Sequence, residues 1–223
     1  MEAVVIAIIF LAISYAIYNW RRNMALLRLV TDPSRGTSSE RKLIIKLLKS
    51  GVPPITIFHD LYIEKSNGHY AQIDAVVVTS VGIIVFEVKD YKGWIFGKGH
   101  QKYWTQVLSY GRQKYRFYNP VMQNASHIEA LREYLAGIAD VPMYSAIIFY
   151  GRCSFRDISY IPDSVCIGYA SDLNNMMYEI TASGSQAYYK DKRGVINMLR
   201  SAVARGDDEE VVDRHIRNVQ RCQ

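Results

Sequence analysis

Asp74, Glu87 and Lys89 are spaced as metal-assisted hydrolysis of a phosphate ester would require. Asp74 lies near the start of Gln72-Ile73-Asp74-Ala75-Val76-Val77-Val78-Thr79, and Glu87-Val88-Lys89 closes the run that begins Ile83-Ile84-Val85-Phe86. Both runs are apolar and β-branched, and Ser80-Val81-Gly82 separates them, so they predict two antiparallel strands joined by a turn. An even-length turn centred on Ser80 and Val81 sets Asp74 directly opposite Glu87 on one face. Opposed carboxylates, with Cβ atoms roughly 4.5–5.5 Å apart, repel each other, and a divalent cation removes that repulsion. Mg²⁺, or Mn²⁺, suits such hard oxygen donors and takes one or two carboxylates beside waters and a substrate phosphate. Strand alternation carries Lys89 to the side of Glu87. There its cation can favour deprotonation of a water and neutralise charge building on phosphorus. An odd-length turn would send the acids to opposite faces unless a bulge intervened. Taken alone, Glu87-x-Lys89 reads as a solvated ion pair at a strand end; Asp74 at this spacing turns the reading toward a site.

The elements around these residues follow from periodicity and breakers. Residues 40–49 predict a helix with Leu43, Ile44, Leu47 and Leu48 on one face, capped by Ser38 or Ser39 and stopped by Gly51-Val52-Pro53-Pro54. Strand-like runs at 55–63, 69–79 and 83–89 form a meander. Asn119-Pro120 fits a cap followed by proline in the first turn, opening a helix through about residue 136 with Ile128, Leu131 and Leu135 inward. The apolar run 143–150 suits a strand covered on both faces, and 164–169 suggests another. The order is α-β-β-β-α-β, followed by helices near 172–180, 195–204 and from 207 onward. Two glutamines compete to support the acids. Gln106 begins a Gln-x-x-x-Tyr pattern ending at Tyr110, whereas Gln123 lies in the first turns of a capped helix with His127 one turn later, and is favoured.

Residues 94–118 form a basic β-excursion. Lys92, Lys98, Lys102, Arg112, Lys114 and Arg116 interleave with Trp94, Tyr103, Trp104, Tyr115 and Tyr118. Such a surface neutralises a phosphate backbone and stacks bases on aromatic rings; a solvated hairpin with core aromatics is the competing reading. The formal net charge of +6 favours a polyanionic partner, either nucleic acid or an anionic membrane. Cys153, Cys166 and Cys222 match no metal-ligand spacing and read as reduced thiols.

From Ala3 to Tyr18 only Ser14 is polar, and Arg21-Arg22 follow Trp20. That pattern predicts a retained membrane anchor rather than a cleaved signal, because Glu2 precedes the apolar run and the arginines follow it. The positive-inside rule puts Arg21, Arg22 and Arg28, and with them the soluble domain, on the cytoplasmic side of an inner membrane. A buried core helix is the alternative.

Gly36-x-x-x-Glu40, Gln72-Ile73-Asp74, Glu87-Val88-Lys89-Asp90-Tyr91-Lys92-Gly93-Trp94, Tyr103-Trp104-Thr105-Gln106 and Asn119-Pro120-x-x-Gln123-Asn124 together resemble the NERD, or nuclease-related, domain. The glycine usual before the first glutamate is Ser39 here. The resemblance implies a restriction-endonuclease-like core of the PD-(D/E)XK type in an α/β chain. In that scheme Asp74 and Glu87 bind metal, Lys89 acts on the water, and Glu40 completes the site. The expected organisation is an anchor over 1–22, a linker over 23–37, the domain over 38–150 and an extension over 151–223. The expected activity is Mg²⁺-dependent hydrolysis of DNA; the alternatives are a nucleic-acid-binding module on a degenerate nuclease fold and a membrane-tethered interaction protein.

Overall fold

A computed structural model describes residues 1–108 and 111–221, so Tyr110 and Cys222 lie outside the described residues. In chain order the helices are α1 (Glu2–Leu27), α2 (Ser38–Lys49), α3 (Pro120–Tyr134), α4 (Leu173–Ser183), α5 (Lys192–Ala204) and α6 (Glu209–Arg221). The strands are β1 (Ile57–Glu64), β2 (Tyr70–Val78), β3 (Ile83–Asp90), β4 (Gly93–Lys98), β5 (Tyr103–Leu108), β6 (Gln113–Tyr118), β7 (Met143–Tyr150), β8 (Cys153–Ser159) and β9 (Val165–Tyr169). The chain is a mixed α/β fold with two sheets.

The β2–β3 hairpin has the even register: Val78 faces Ile83 and Ala75 faces Phe86. β1 adds antiparallel to β2, and β7 and β9 add parallel beyond β3, giving the order β1-β2-β3-β7-β9. Being covered on both faces, the central strands are apolar almost throughout. On one face, Val76, Val78, Ile83 and Val85 pack under Leu131 of α3 and Leu135 just after it, and under Val195 and Leu199 of α5. On the other, Ala75, Val77, Ile84 and Phe86 meet Leu43, Ile44 and Leu47 of α2 and Leu173, Met176 and Ile180 of α4.

The basic excursion is a sheet of its own, ordered β6-β5-β4-β8. The parallel partner β8 has no clear sequence signal: Arg156-Asp157 interrupts its alternation, and its pairing with β4 shifts register at Ile95/Phe96. Ile95 and Trp104 of this sheet are buried against Ile147, Phe149 and Val121.

Two boundaries differ from the sequence expectation. The first helix continues past Arg22 to Leu27, which is fully buried, because Met24, Leu27 and Val30 find apolar partners beside α2. Helix α2 is capped by Thr37 rather than Ser38 or Ser39. Thr37 Oγ1 accepts the Glu40 N–H at 3.3 Å and donates to the Glu40 carboxylate at 2.7 Å, a reciprocal pair that needs three-residue spacing. The apolar helix is not a core helix. Residues 2–18 are exposed, and α1 is long and apolar enough to cross a membrane.

One buried charge pair ties the segment before α2 to β1 and the carboxyl-terminal helices. Arg35 Nε bonds Asp60 Oδ2 at 2.9 Å, Nη2 donates to the Asp60 carbonyl at 3.0 Å, and Nη1 reaches Asp207 at 3.0 Å. Asp60 stands at φ 57. Arg35→Ala would strand that carboxylate in the interior and should destabilise the fold by about 3 kcal/mol. Chemical denaturation of the full chain in detergent measures this; a loss below about 1 kcal/mol, the range of exposed pairs, would contradict it.

Candidate metal and catalytic centre

The acid pair sits where the central ladders come apart. Pairing of β2 with β3 stops at Ala75 and Phe86, one step short of Asp74 and Glu87. On the other edge, the β1–β2 register runs through His59 opposite Ala75 and resumes with Leu61 opposite Ile73, skipping Asp60 and Asp74. The left-handed backbone at Asp60 accompanies a change of face. Phe58 and Leu61, three residues apart, both enter the core under α3 and α5, as do Ile73 and Val76 across from them. Released from both ladders, Asp74 turns its carboxylate back onto β3, where Oδ2 accepts the Val88 N–H at 2.6 Å.

Glu87 and Lys89 alternate onto the α3 side of β3, and Lys89 Nζ lies 2.6 Å from Glu87 Oε1. Lys89 also donates to Gln123 Oε1 at 2.9 Å. One turn along α3, His127 is buried with Nε2 at 3.2 Å from Glu87 Oε2. The helix is held in place by two asparagines. Asn119 caps it through the Val121 N–H at 2.9 Å, and buried Asn124 donates to the Val85 carbonyl at 2.9 Å and to Ser145 Oγ at 2.8 Å. Asn124 thus staples α3 to β3 and β7, fixing Gln123 and His127 over the acids. Sequence reasoning gave His127 no role; its place one turn after Gln123 was the available signal.

Glu40 comes from the other side of the sheet and is held within its own cluster. Its Oε2 is 3.4 Å from His59 Nε2, and His59 Nδ1 lies 3.0 Å from Thr31 Oγ1. Gly36, at φ 65, closes this cluster: a Cβ there would stand 2.5 Å from Glu40 Oε2 and 2.7 Å from the imidazole. The Gly36-x-x-x-Glu40 spacing therefore has a steric cause, and His59 is the partner the sequence did not reveal.

The electrostatics separate the two central acids. Burial drives the Asp74 pKa well above the ordinary carboxylate range, and the charges of Glu87 and Glu40 push it further. Burial would raise Glu87 too, but Lys89 and His127 outweigh it and hold Glu87 low. Burial would lower Lys89, yet its pairing with Glu87 keeps it raised and cationic. Glu40 is likewise depressed, because hydrogen bonds from His59 and Thr37 overcome its burial. Among the described residues, no group of three or more His, Cys, Asp or Glu side chains is gathered in metal-ligand geometry.

The residues of the excursion divide. Trp104 is fully buried, its Nε1 donating to the Lys98 carbonyl at 3.1 Å, because Gly97 leaves room that a side chain would take from the indole. It is a core residue, which corrects its expected place on a substrate surface. Gln106 shares the face of Trp104 and donates to the Lys92 carbonyl at 2.9 Å, so its bond is to the turn backbone rather than to the acids. The register sets Trp94, Lys114 and Arg116 on the opposite face. Arg156 lies 5.0 Å over the Trp94 ring, Arg116 4.7 Å and Lys102 5.4 Å over Tyr103, and Lys98 5.6 Å over Tyr160. Lys92, Lys102, Arg112 and Lys114 are exposed. Between Tyr91 and Ile128 the chain has no Asp or Glu, and its six Lys and Arg match the whole chain's formal charge of +6. Charge in the rest of the molecule balances.

A family model described as the nuclease-related domain matches residues 35–150. The chain is 30% identical over 149 residues to an uncharacterized protein of Bacillus anthracis, covering 66% of this chain and 68% of that protein. No solved structure matches.

The strain at Asp74 has a consequence for stability. Asp74→Asn keeps an acceptor for the Val88 N–H while removing the charge, so in EDTA near pH 8 the variant should be more stable by about 1 kcal/mol. The sign follows from the raised folded pKa: ionising Asp74 costs more in the folded chain than in the unfolded one. The variant's advantage is therefore full above the raised value and vanishes below about the ordinary 3.8, where the native residue is neutral in both states. Denaturation midpoints at several pH values decide it; a less stable variant at pH 8 would contradict the repulsion.

Proposed function

Because the chain belongs to the nuclease-related domain family, we propose that it is a membrane-anchored, Mg²⁺-dependent nuclease that hydrolyses phosphodiester bonds of DNA on a restriction-endonuclease-like core. The observation that carries this reading is the meeting of Asp74, Glu87, Lys89 and Gln123 at one break in the ladder. The residues fit a hard divalent ion. Both donors are carboxylates, and the crowding of negative charge at the buried Asp74 is what such an ion relieves. Asp74 and Glu87 would hold Mg²⁺ or Mn²⁺, which when bound supplies Lewis-acid polarisation of the phosphate and a more acidic water.

The protein's own groups do the rest. Lys89, cationic and oriented by Gln123 Oε1, sits within reach of the attacking water and of the charge that builds on the phosphate oxygens. His127 and Lys89 together fix the orientation of the Glu87 carboxylate. Glu40 and its partner His59 stand on the opposite side of Asp74, where the Glu40 charge helps set the acidity of that carboxyl. Lys98, Lys102, Lys114 and Arg116, with Trp94 and Tyr103, supply a surface for the phosphate backbone and for stacking. Helix α1 anchors the chain, with Arg21, Arg22 and Arg28 on the cytoplasmic side of the inner membrane.

A second reading, a non-catalytic nucleic-acid-binding module, is favoured by one observation. Lys89 and His127 already flank both oxygens of Glu87. The two readings separate on turnover. The full chain in detergent should cleave labelled DNA with Mg²⁺ and not with EDTA, and Asp74→Ala or Lys89→Ala should lower the rate at least 100-fold with the fold intact. Salt-sensitive binding without cleavage in any of these would establish the binding module instead. Independently, replacing Lys114 and Arg116 together by alanine should reduce the slope of log affinity against log salt by roughly 1.5 for single-stranded DNA. An unchanged slope would remove that surface from the substrate path.

A further inference from the structure

We propose that the face of the domain beside the exit of α1 docks on the headgroups of an anionic bilayer, with Leu29 and Ile55 at the interface and Lys192, Arg193 and Arg200 neutralising lipid phosphates. The proposal rests on the reading of α1 as a membrane anchor.

No loose tether joins that helix to the domain. It is continuous from Glu2 to Leu27, and its last turn is packed into the core beside Leu43, Ile44 and Leu47. From Arg22 to Leu29 the helical rise corresponds to about 10 Å. That is close to the Debye length at physiological salt, roughly 8 Å, and a lysine or arginine stem spans much of it. The surface next to Leu29 is therefore held near the headgroups whenever α1 is inserted.

This surface is built for that position. Two adjoining hollows of about 160 and 480 Å³ share Ile55 and Arg200. Leu29 is 59% exposed and Ile55 61%, and both line the first of these hollows, so they present apolar tips on one face. Helix α5 buries Val195, Leu199 and Ala202, so its outward side is fixed, and Lys192, Ile196 and Arg200 recur every four residues along it with Arg193 adjacent. Among the described residues, no acidic side chain lines either hollow. Exposed aliphatic tips beside a row of cations along α5 are complementary to a layer of lipid phosphates over acyl chains.

The test uses the full chain in nanodiscs of phosphatidylcholine alone or mixed with phosphatidylglycerol, read by amide hydrogen exchange. The amides of Ile55 and Thr56 and those of the first turns of α5 should exchange roughly tenfold more slowly in the anionic discs, and the difference should disappear at high salt and in K192E/R193E/R200E. Ile55→Ser, which leaves the cations in place, should lose part of the protection. Flotation with neutral vesicles checks the anchor separately. A chain that floats yet exchanges identically in both lipids overturns the docking alone, and a chain that does not float overturns the anchor and the docking with it. Equal protection by a DNA oligonucleotide in neutral discs would overturn the proposal in favour of a nucleic-acid surface.

Discussion

Two carboxylates forced together at the end of a β-ladder are the constraint around which this molecule is arranged. At Asp74 β2 loses both neighbours, and the break frees its side chain to fold back onto the Val88 amide, where it feels the charge of Glu87. The arrangement stores electrostatic repulsion in a site partly closed to water, where charges interact more strongly than in solvent. Lys89, Gln123 and His127 are the response from the α3 side: one cation and two polar groups that fix the geometry of Glu87 and leave Asp74 as the unrelieved charge. Strain concentrated in this way is characteristic of functional sites, where it is tolerated because the surrounding fold over-determines it.

That over-determination comes from polar staples rather than from the apolar core alone. Asn124 couples α3 to β3 and β7, Asn119 fixes the start of α3, and Arg35 couples the approach to α2 with Asp60 and the carboxyl-terminal segment. Each is buried or nearly so and makes directional bonds that apolar packing could not supply. The Gly36–Glu40–His59 cluster extends the same logic to the opposite side of the sheet. Around this framework charge is distributed unevenly. Asp74 and Glu87 stand at the site, while the segment from Tyr91 to Ile128 is free of acids and carries the molecule's entire cationic excess.

Much of this was legible in the sequence, for reasons that differ from element to element. The β-branched runs on either side of Ser80 specified both strands, but because the strands are apolar on both faces the choice between an even and an odd turn was left to the folded structure, which has the even register. Asn119-Pro120 marked the start of α3, a local signal with a local cause. By contrast, Trp104 looked like a stacking platform and is a core residue, since only the pairing of β5 beside Gly97 reveals the space that receives it. Strand β8 had no periodic pattern and exists through its parallel partner β4. Thr37 displaced the neighbouring serines as cap because the decisive partner, Glu40, sits three residues beyond it.

The sequence by itself determined the element order of the central core, the side shared by Glu87 and Lys89, and the apolar character of α1, all consequences of periodicities of two or 3.6 residues. Tertiary structure alone decided that the ladder opens one residue before the acids, that Gln123 rather than Gln106 contacts Lys89, that His127 flanks Glu87 and His59 flanks Glu40, and that α1 runs unbroken into the core. These depend on which distant segments come within hydrogen-bonding distance, and that is fixed by packing across the sheet rather than by neighbours along the chain.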